Sequence, residues 1–300
     1  GYSTQYGNYG EMTNNGMEID LGLDLIDTSE FGLSTAINWS TNENEVTDLF
    51  GTESINLSPG ASVSSRAVVG YPLGSLYGTG SQTNPDGSFI LNSNGFPQIT
   101  SSPIVLGDPN PDWRGGISLS MRYKKFRLNA VLEHSEGGDF SPRTLWVLRR
   151  FGTTQETANR ITLDQPLVNY RGNTIPAGTT VRGNIKDFGG GPVLLDENWY
   201  RTGIGGGFGD NQAYNFSIAD ATFTKLRDLS LSYVIDTPLV TNIGLSDVIV
   251  SLTGRDLINI NKVEGIDPEI NTKGVSVAQG VEYFTNPQTK GFLVSLTINY

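Results

Sequence analysis

The chain has no cysteine, a single histidine, and no apolar run approaching the roughly 20 residues that a membrane helix requires. The first absence excludes disulfides and thiolate metal sites. Basic residues are also scarce, 20 against 31 acidic ones, for a net charge of −11. Nucleic acid is therefore not an expected partner, because phosphate binding needs a basic face. The opening GYSTQYGNYG has neither the positive nor the apolar region of a signal peptide, so none is expected within these residues.

What the chain does contain is glycine (37 residues), aromatics (10%) and segments of period-two hydrophobicity. In MEIDLGLDLI, Ile19, Leu21, Leu23 and Leu25 alternate with Glu18, Asp20, Gly22 and Asp24. FGLSTAINWS, GISLSMRY, FRLNAVLE, RDLSLSYVI, DVIVSLTGR and GFLVSLTINY repeat the pattern, giving seven predicted strands, each with one apolar and one polar face.

A soluble sandwich would alternate in the same way. The connections separate the two: tight turns at Asp27–Glu30 and Lys124–Lys125 and a moderate one at 238–246 alternate with long segments near 43–113, 137–219 and 259–290. Short turns on one side and long loops on the other are the rhythm of an outer-membrane barrel. The rhythm predicts that Phe31, Tyr123, Phe126, Tyr233 and Tyr300 gather at the short-turn edge, with Trp39 and Phe292 toward the other, as interfacial aromatic girdles. The fold class expected is thus all-β, a transmembrane antiparallel β-barrel. Seven strands fall short of a complete barrel of this type, so further strands are expected upstream.

Motifs for chemistry are thin. His134 lies beside Glu133, Ser135 and Glu136, but neighbouring strand residues point to opposite faces and cannot form a relay. GIGGGFGD (203–210) lacks the GK[ST] of a phosphate cradle. In DPNPDW, Asp108, Asn110 and Asp112 keep the first ligand spacings of a calcium loop, while Trp113 and Leu119 stand at its glycine and closing glutamate positions. No catalytic residue, cofactor or metal ligand is expected beyond a weakly held Ca²⁺ at these acidic loops. Asp20, Asp24, Arg122, Arg127, Glu133 and Arg255 on the polar strand faces are read as solvated in a wide lumen or in contact with a plug. Among loop aromatics, Trp146, Trp199 and Tyr200 are candidates for substrate or lid contact, with packing of a loop the alternative.

Several segments resemble the SusC/RagA family of TonB-dependent outer-membrane transporters. GDPNPDWRGGISLSMRYKKFRLNAVLEHSEGGD carries a G-x-x-x-P-x-W-x-G-G start, a YK-x-F turn and a closing GGD. IADATFTKLRDLSLSYVI is similar to DASF-x-RLR-x-x-SLSY, with Thr222 and Lys225 as departures, and LTGRDLIN is similar to GRNL, with Asp256 for the asparagine. GIDPEIN and the final NPQTKGFLVSLTINY look like the family's closing motifs, and YGEMTNNGMEIDL like its G-x-M-x-N-x-G-[IM]-E. The resemblance implies the C-terminal strands of a barrel of about 22 strands, a size class whose lumen is plugged. The plug domain is not expected within 1–300, and the three long segments would be extracellular loops.

It further implies TonB-dependent import of an oligomeric nutrient, glycan or oligopeptide, across the cell outer membrane. The partners would be outer-membrane lipid, a SusD-like surface lipoprotein, and TonB–ExbB–ExbD engaged through the missing N-terminal part. A barrel retained as a structural scaffold in a larger membrane complex is the alternative.

Overall fold

A computed structural model describes residues 7–8, 10–58, 62–203, 205, 212–263, 265–274 and 276–300. Seven strands form one sheet: β1 (Glu11–Asp27), β2 (Phe31–Asp48), β3 (Trp113–Tyr123), β4 (Phe126–Glu136), β5 (Phe223–Ile235), β6 (Asp247–Asn261) and β7 (Gly291–Asn299). Each pairs antiparallel with the next in sequence, and no strand is skipped. All seven coincide with the alternating segments, and the fold is all-β.

The registers explain the alternation. Leu21, Ile37, Ile117, Leu132, Leu226 and Ile258 are successive cross-strand partners on one face. A second rung joins Leu33, Met121, Leu128, Leu231, Leu252 and Val294. Among the described residues nothing covers these rungs: Leu231 is 48% and Leu252 53% exposed. The opposite face pairs Ser34 with Ser120, Ser120 with Asn129, and Asn129 with Ser230. Water would not tolerate so long an apolar face on a lone sheet, whereas lipid demands it. The 11 residues of β3, at about 3.3 Å each and tilted about 40°, rise about 28 Å, close to the thickness of a bilayer core.

The predicted aromatic edge is present in part. Phe31, Tyr123, Phe126 and Tyr233 follow one another across β2 to β5, and the Phe126 and Tyr233 rings lie 4.6 Å apart. Tyr300 follows the last β7 pair, Asn299 with Asp247, so it lies beyond the register of Tyr233, whose partner is Val250.

Two differences from the sequence reading stand out. β1 and β2, at 17 and 18 residues, run well past their apolar repeats. Their outer ends pair Asn14 with Asn44 and Asn15 with Glu43, so residues 43–48, expected in the first long loop, continue a strand. Polar side chains on both faces hid this extension. The long segments are also not structureless. Segment 49–112 contains a four-stranded sheet of Ser54–Ser58, Ser64–Val68, Ser75–Gly78 and Ile104–Gly107. Segment 137–222 contains three short hairpins and α1 (Arg143–Phe151).

The two segments share a core in which Phe96 of the first is buried among Phe188, Trp199 and Tyr200 of the second. Between them, Tyr214 N donates to Thr79 O at 2.8 Å and Ser81 N to Asn215 Oδ1 at 2.8 Å. The third long segment adds the short strand Val281–Glu282, parallel to Asp139–Pro142. The buried Glu282 caps α1 from a distance, accepting from Thr144 N at 3.1 Å and Thr144 Oγ1 at 2.6 Å. A carboxylate there satisfies an orphan amide and faces the positive end of the helix. The result is a folded cap built from all three long segments above a bare wall.

Candidate functional site

The cap and the wall are joined through charge on the wall's polar face. On β5, a register shift between Leu226 and Asp228 makes Arg227 an extra residue in the strand. The bulge lets Leu226 and Leu229 both remain on the apolar rungs while Lys225, Arg227 and Asp228 are left off them. On the facing strand Asp256 takes a left-handed φ of 50°, within the residues that the shift skips.

Lys225 is fully buried. Its Nζ lies 2.9 and 2.6 Å from the two carboxylate oxygens of Asp267, 2.6 Å from Glu269 Oε2 and 3.2 Å from Gln288 Oε1. Arg227 donates from Nε to Glu133 Oε2 at 2.6 Å and from both terminal nitrogens to Glu269, one at 2.8 Å. Asp256 completes the set 3.6 Å from Arg227. Burial pushes the Glu269 carboxyl up, but its hydrogen bonds from Arg227 and Lys225 outweigh this and hold it down at about 2. Two cations thus bind segment 267–288 to strands β4, β5 and β6.

These residues belong to motifs that the sequence reading treated separately. TKLR supplies Lys225 and Arg227, GIDPE supplies Asp267 and Glu269, and the two meet only in three dimensions. Two of the three departures from the family pattern, Lys225 and Asp256, fall inside the cluster.

A second junction lies beside it. Asp108 N donates to Asp139 Oδ2 at 2.9 Å, and Asp108 Oδ1 accepts from Asn110 N at 2.9 Å and Asn110 Nδ2 at 2.6 Å. Burial pushes both carboxyls up, and for Asp139 the neighbouring Asp108, Asp220 and Asp112 add to it. Two glycines make this packing possible. A Cβ on Gly107 would lie 2.4 Å from Asp139 Oδ2, and one on Gly137, at φ 74°, would lie 2.4 Å from Asp112 Oδ2. The Asp108–Asp139 contact thus joins the first and second long segments, and Asp112 N donates to Glu136 O of β4 at 2.9 Å. The Asp108 carboxylate is engaged with its own turn and that of Asp139 with Asp108 N, and among the described residues no group of three or more acidic or histidine side chains is arranged around a metal position.

His134 stands apart, its Nδ1 2.7 Å from Thr224 Oγ1, its Nε2 2.9 Å from Glu136 Oε2 and its ring 4.7 Å from Trp113. Ser135 takes no part in these contacts. The GIGGGFGD segment lies largely outside the described residues.

The three aromatic candidates, Trp146, Trp199 and Tyr200, are all buried, at 3%, 4% and 5% exposure. Trp199 packs on Phe96, Tyr170, Phe188 and Phe216 with ring centroids 5.5–5.8 Å apart. Tyr200 Oη donates to Glu156 Oε1 at 3.1 Å and accepts from Asn184 Nδ2 at 2.8 Å; burial and then Glu156 push its phenol well above the usual range. All three are packed within the long segments, and Tyr200 also lines a cavity with Arg149, Arg182 and Arg201.

No family model matches the chain. It is similar over its whole length to two curated proteins of Formosa agariphila: TonB-dependent receptor P3 (24% identical over 333 residues) and TonB-dependent receptor P26 (23% over 329). The chain spans 30% of the length of each. Among solved structures, the RagAB peptide transporter superposes with a TM-score of 0.63 at 19% identity, covering 100% of this chain and 30% of that one. The RagAB peptide importer in its closed-closed state gives 0.63 at 20%, covering 99% and 30%. The sheet therefore has the fold of TonB-dependent transporter barrel strands, and the resemblance to the SusC/RagA family is borne out.

Proposed function

We propose that these residues form part of the wall and outer cap of an outer-membrane, TonB-dependent importer of an oligomeric nutrient, glycan or oligopeptide. The observation that carries this reading is the two-faced sheet. Apolar rungs lie bare across successive strands on one side, and hydroxyls, amides and charges line the other. Such a sheet is stable where lipid covers one face and a hydrated lumen the other.

In this reading the short turns face the periplasm and the three long segments lie outside the cell. The Lys225–Arg227 cluster then fixes segment 267–288 to the lumenal side of the wall at the outer mouth, narrowing the entrance. The cap offers the surface on which a SusD-like lipoprotein would rest. Coupling to TonB–ExbB–ExbD, and the plug, would come from portions of the polypeptide other than these 300 residues. The residues described carry no constellation for bond-breaking chemistry, and the reading assigns them none.

Cysteine labelling of intact cells tests the orientation. Cysteines placed at Ser93 and Asn173 should react with an impermeant maleimide. Those at Ser29 and Thr241 should react only after the outer membrane is opened. The reverse pattern would reject the reading.

A further inference from the structure

Beside the Lys225 cluster a cavity of about 450 Å³ opens between segment 265–288, the outer end of β6 and one side of α1. β6 lines it with Asn259 and Asn261. Their neighbours Ile258 and Ile260 are 48% and 64% exposed, and Ile258 pairs with Leu226 on the first bare rung. Alternation along the strand therefore puts both asparagines on the polar face of the wall. In the import reading this is the lumenal side, at the outer mouth.

The cavity is walled largely by aliphatic side chains. Leu148 of α1, Ile266, Ile270 and Pro287 line it, and Leu148 remains 38% exposed. The two carboxylates that also reach it are engaged within the fold. Asp267 holds Lys225 and accepts from Asn259 Nδ2 at 3.0 Å. Glu282 accepts from Thr285 N and Thr285 Oγ1, each at 3.1 Å, in addition to the two Thr144 donors. Gln288 bridges Lys225 and Glu269. Among the described residues that line the cavity, none is a lysine, arginine or histidine and none is aromatic. It thus has no uncompensated cation for an acidic ligand and no ring face on which a sugar could stack.

What the lining leaves available is apolar surface and two donors. Asn259 Nδ2 gives one hydrogen to Asp267 and Asn261 Nδ2 gives one to Asn259 Oδ1, and each nitrogen carries a second. A sugar ring brings a hydroxyl on almost every carbon, and each one moved from water onto an aliphatic wall without a partner is penalised. An aliphatic side chain suits the wall, and the carbonyls of the chain that bears it suit the two amide donors. We propose that this cavity receives an aliphatic side chain from an uncharged stretch of oligopeptide, with the peptide main chain held at Asn259 and Asn261. The proposal rests on the import reading for the cavity's access to nutrient, and deepens it by choosing oligopeptide over glycan.

The test uses the full polypeptide purified in detergent and measures binding by calorimetry. The probes are end-blocked, uncharged octapeptides of glycine and serine bearing two leucines, the same peptides with serine in place of both leucines, and maltooligosaccharides of similar length. The leucine peptide should bind at least about tenfold more tightly than the serine peptide, the lower end for taking one leucine side chain out of water. Its affinity should be the same at low and high salt, because no free charge lines the cavity, and the maltooligosaccharides should not bind. Leu148→Asp places a carboxylate without a partner on the wall and should remove the preference for leucine, whereas Leu148→Met, of similar volume, should keep it. Pro287→Trp, at an exposed position on the rim, should fill the cavity and give the same loss, so the test stands even if Leu148→Asp fails to fold. Equal binding of leucine and serine peptides, binding of maltooligosaccharide as tight as that of the leucine peptide, or affinity that falls as salt rises would overturn the proposal. So would an unchanged leucine preference in folded Leu148→Asp and Pro287→Trp. These outcomes leave the surface-labelling pattern unaffected, so failure here and failure of the import reading can be told apart.

Discussion

The wall and the cap solve the same problem of burying apolar surface in opposite ways. The wall keeps its apolar residues in rungs that nothing among the described residues covers, and on the proposed reading their burial is left to the membrane. The cap buries Phe96, Leu76, Leu163 and Leu194 completely within itself, as a water-soluble domain does. On that reading one region is stable only in lipid; the other carries its own core. They are held together by Lys225 and Arg227 and, at the outer end of β2, by Val46, which is buried against Leu49 and Ala67 of the cap.

The largest break in that comparison should come from Lys225. Lys225→Met leaves Asp267 without its cation at a nearly fully buried site and Glu269 with Arg227 alone. Removing one partner of a buried pair costs about 3–5 kcal/mol. Segment 262–288 should become sensitive to limited proteolysis while the wall stays heat-modifiable and membrane-inserted. Loss of the whole protein from the outer membrane would show that the cluster serves the wall itself.

Arginine substitution sharpens the contrast between the two faces. Leu231→Arg on a rung near the bilayer centre should cost about 2–4 kcal/mol, and Ser230→Arg on the polar face should be nearly neutral. Denaturant titration of the refolded protein in lipid vesicles reads both. Equal costs would mean that the two faces share one environment.

How far the two regions were legible in the sequence follows from the same contrast. Lipid on one face and water on the other impose a period of two on every strand, so Leu229, Leu231 and Tyr233 declared the wall without any fold knowledge. The cap has no such external reference. Phe96 and Trp199 stand about a hundred positions apart, and no periodicity links residues that meet only after two segments fold together. This is why the burial of Trp146, Trp199 and Tyr200, conspicuous in the sequence, was not legible there. The outer ends of β1 and β2 were missed because Asn14, Asn15 and Glu43 leave both faces polar outside lipid. The Lys225 cluster was half visible, since its motifs could be read but their meeting could not.

A smaller effect separates the two junctions by pH. Glu269 has its carboxyl lowered from 4.5 to about 2. Its contribution is therefore fully present above about pH 4.5 and is lost as pH falls from there toward about 2. Asp108 and Asp139 are shifted upward, so their ionised forms cost stability at neutral pH and protonation in mild acid relieves that cost. Glu269 is 36% exposed, so solvent screening tempers its effect. Acidification from neutral pH toward about 4.5 should first tighten the 107–139 junction, and release of segment 267–288 should follow only below that. Limited proteolysis with an acid-active protease across this range, read by mass spectrometry, checks the order. Release of segment 267–288 before any tightening would contradict it.

The most direct test of the two-faced wall is a nitroxide scan along β5, with single labels at Leu229, Ser230, Leu231, Ser232 and Tyr233 in the full polypeptide reconstituted in lipid. Labels at Leu229, Leu231 and Tyr233 should collide with dissolved oxygen, and those at Ser230 and Ser232 with a water-soluble nickel chelate, alternating residue by residue. Uniform access of the aqueous quencher to all five positions would mean that no lipid covers this face, and the account of the sheet as a membrane wall would fail.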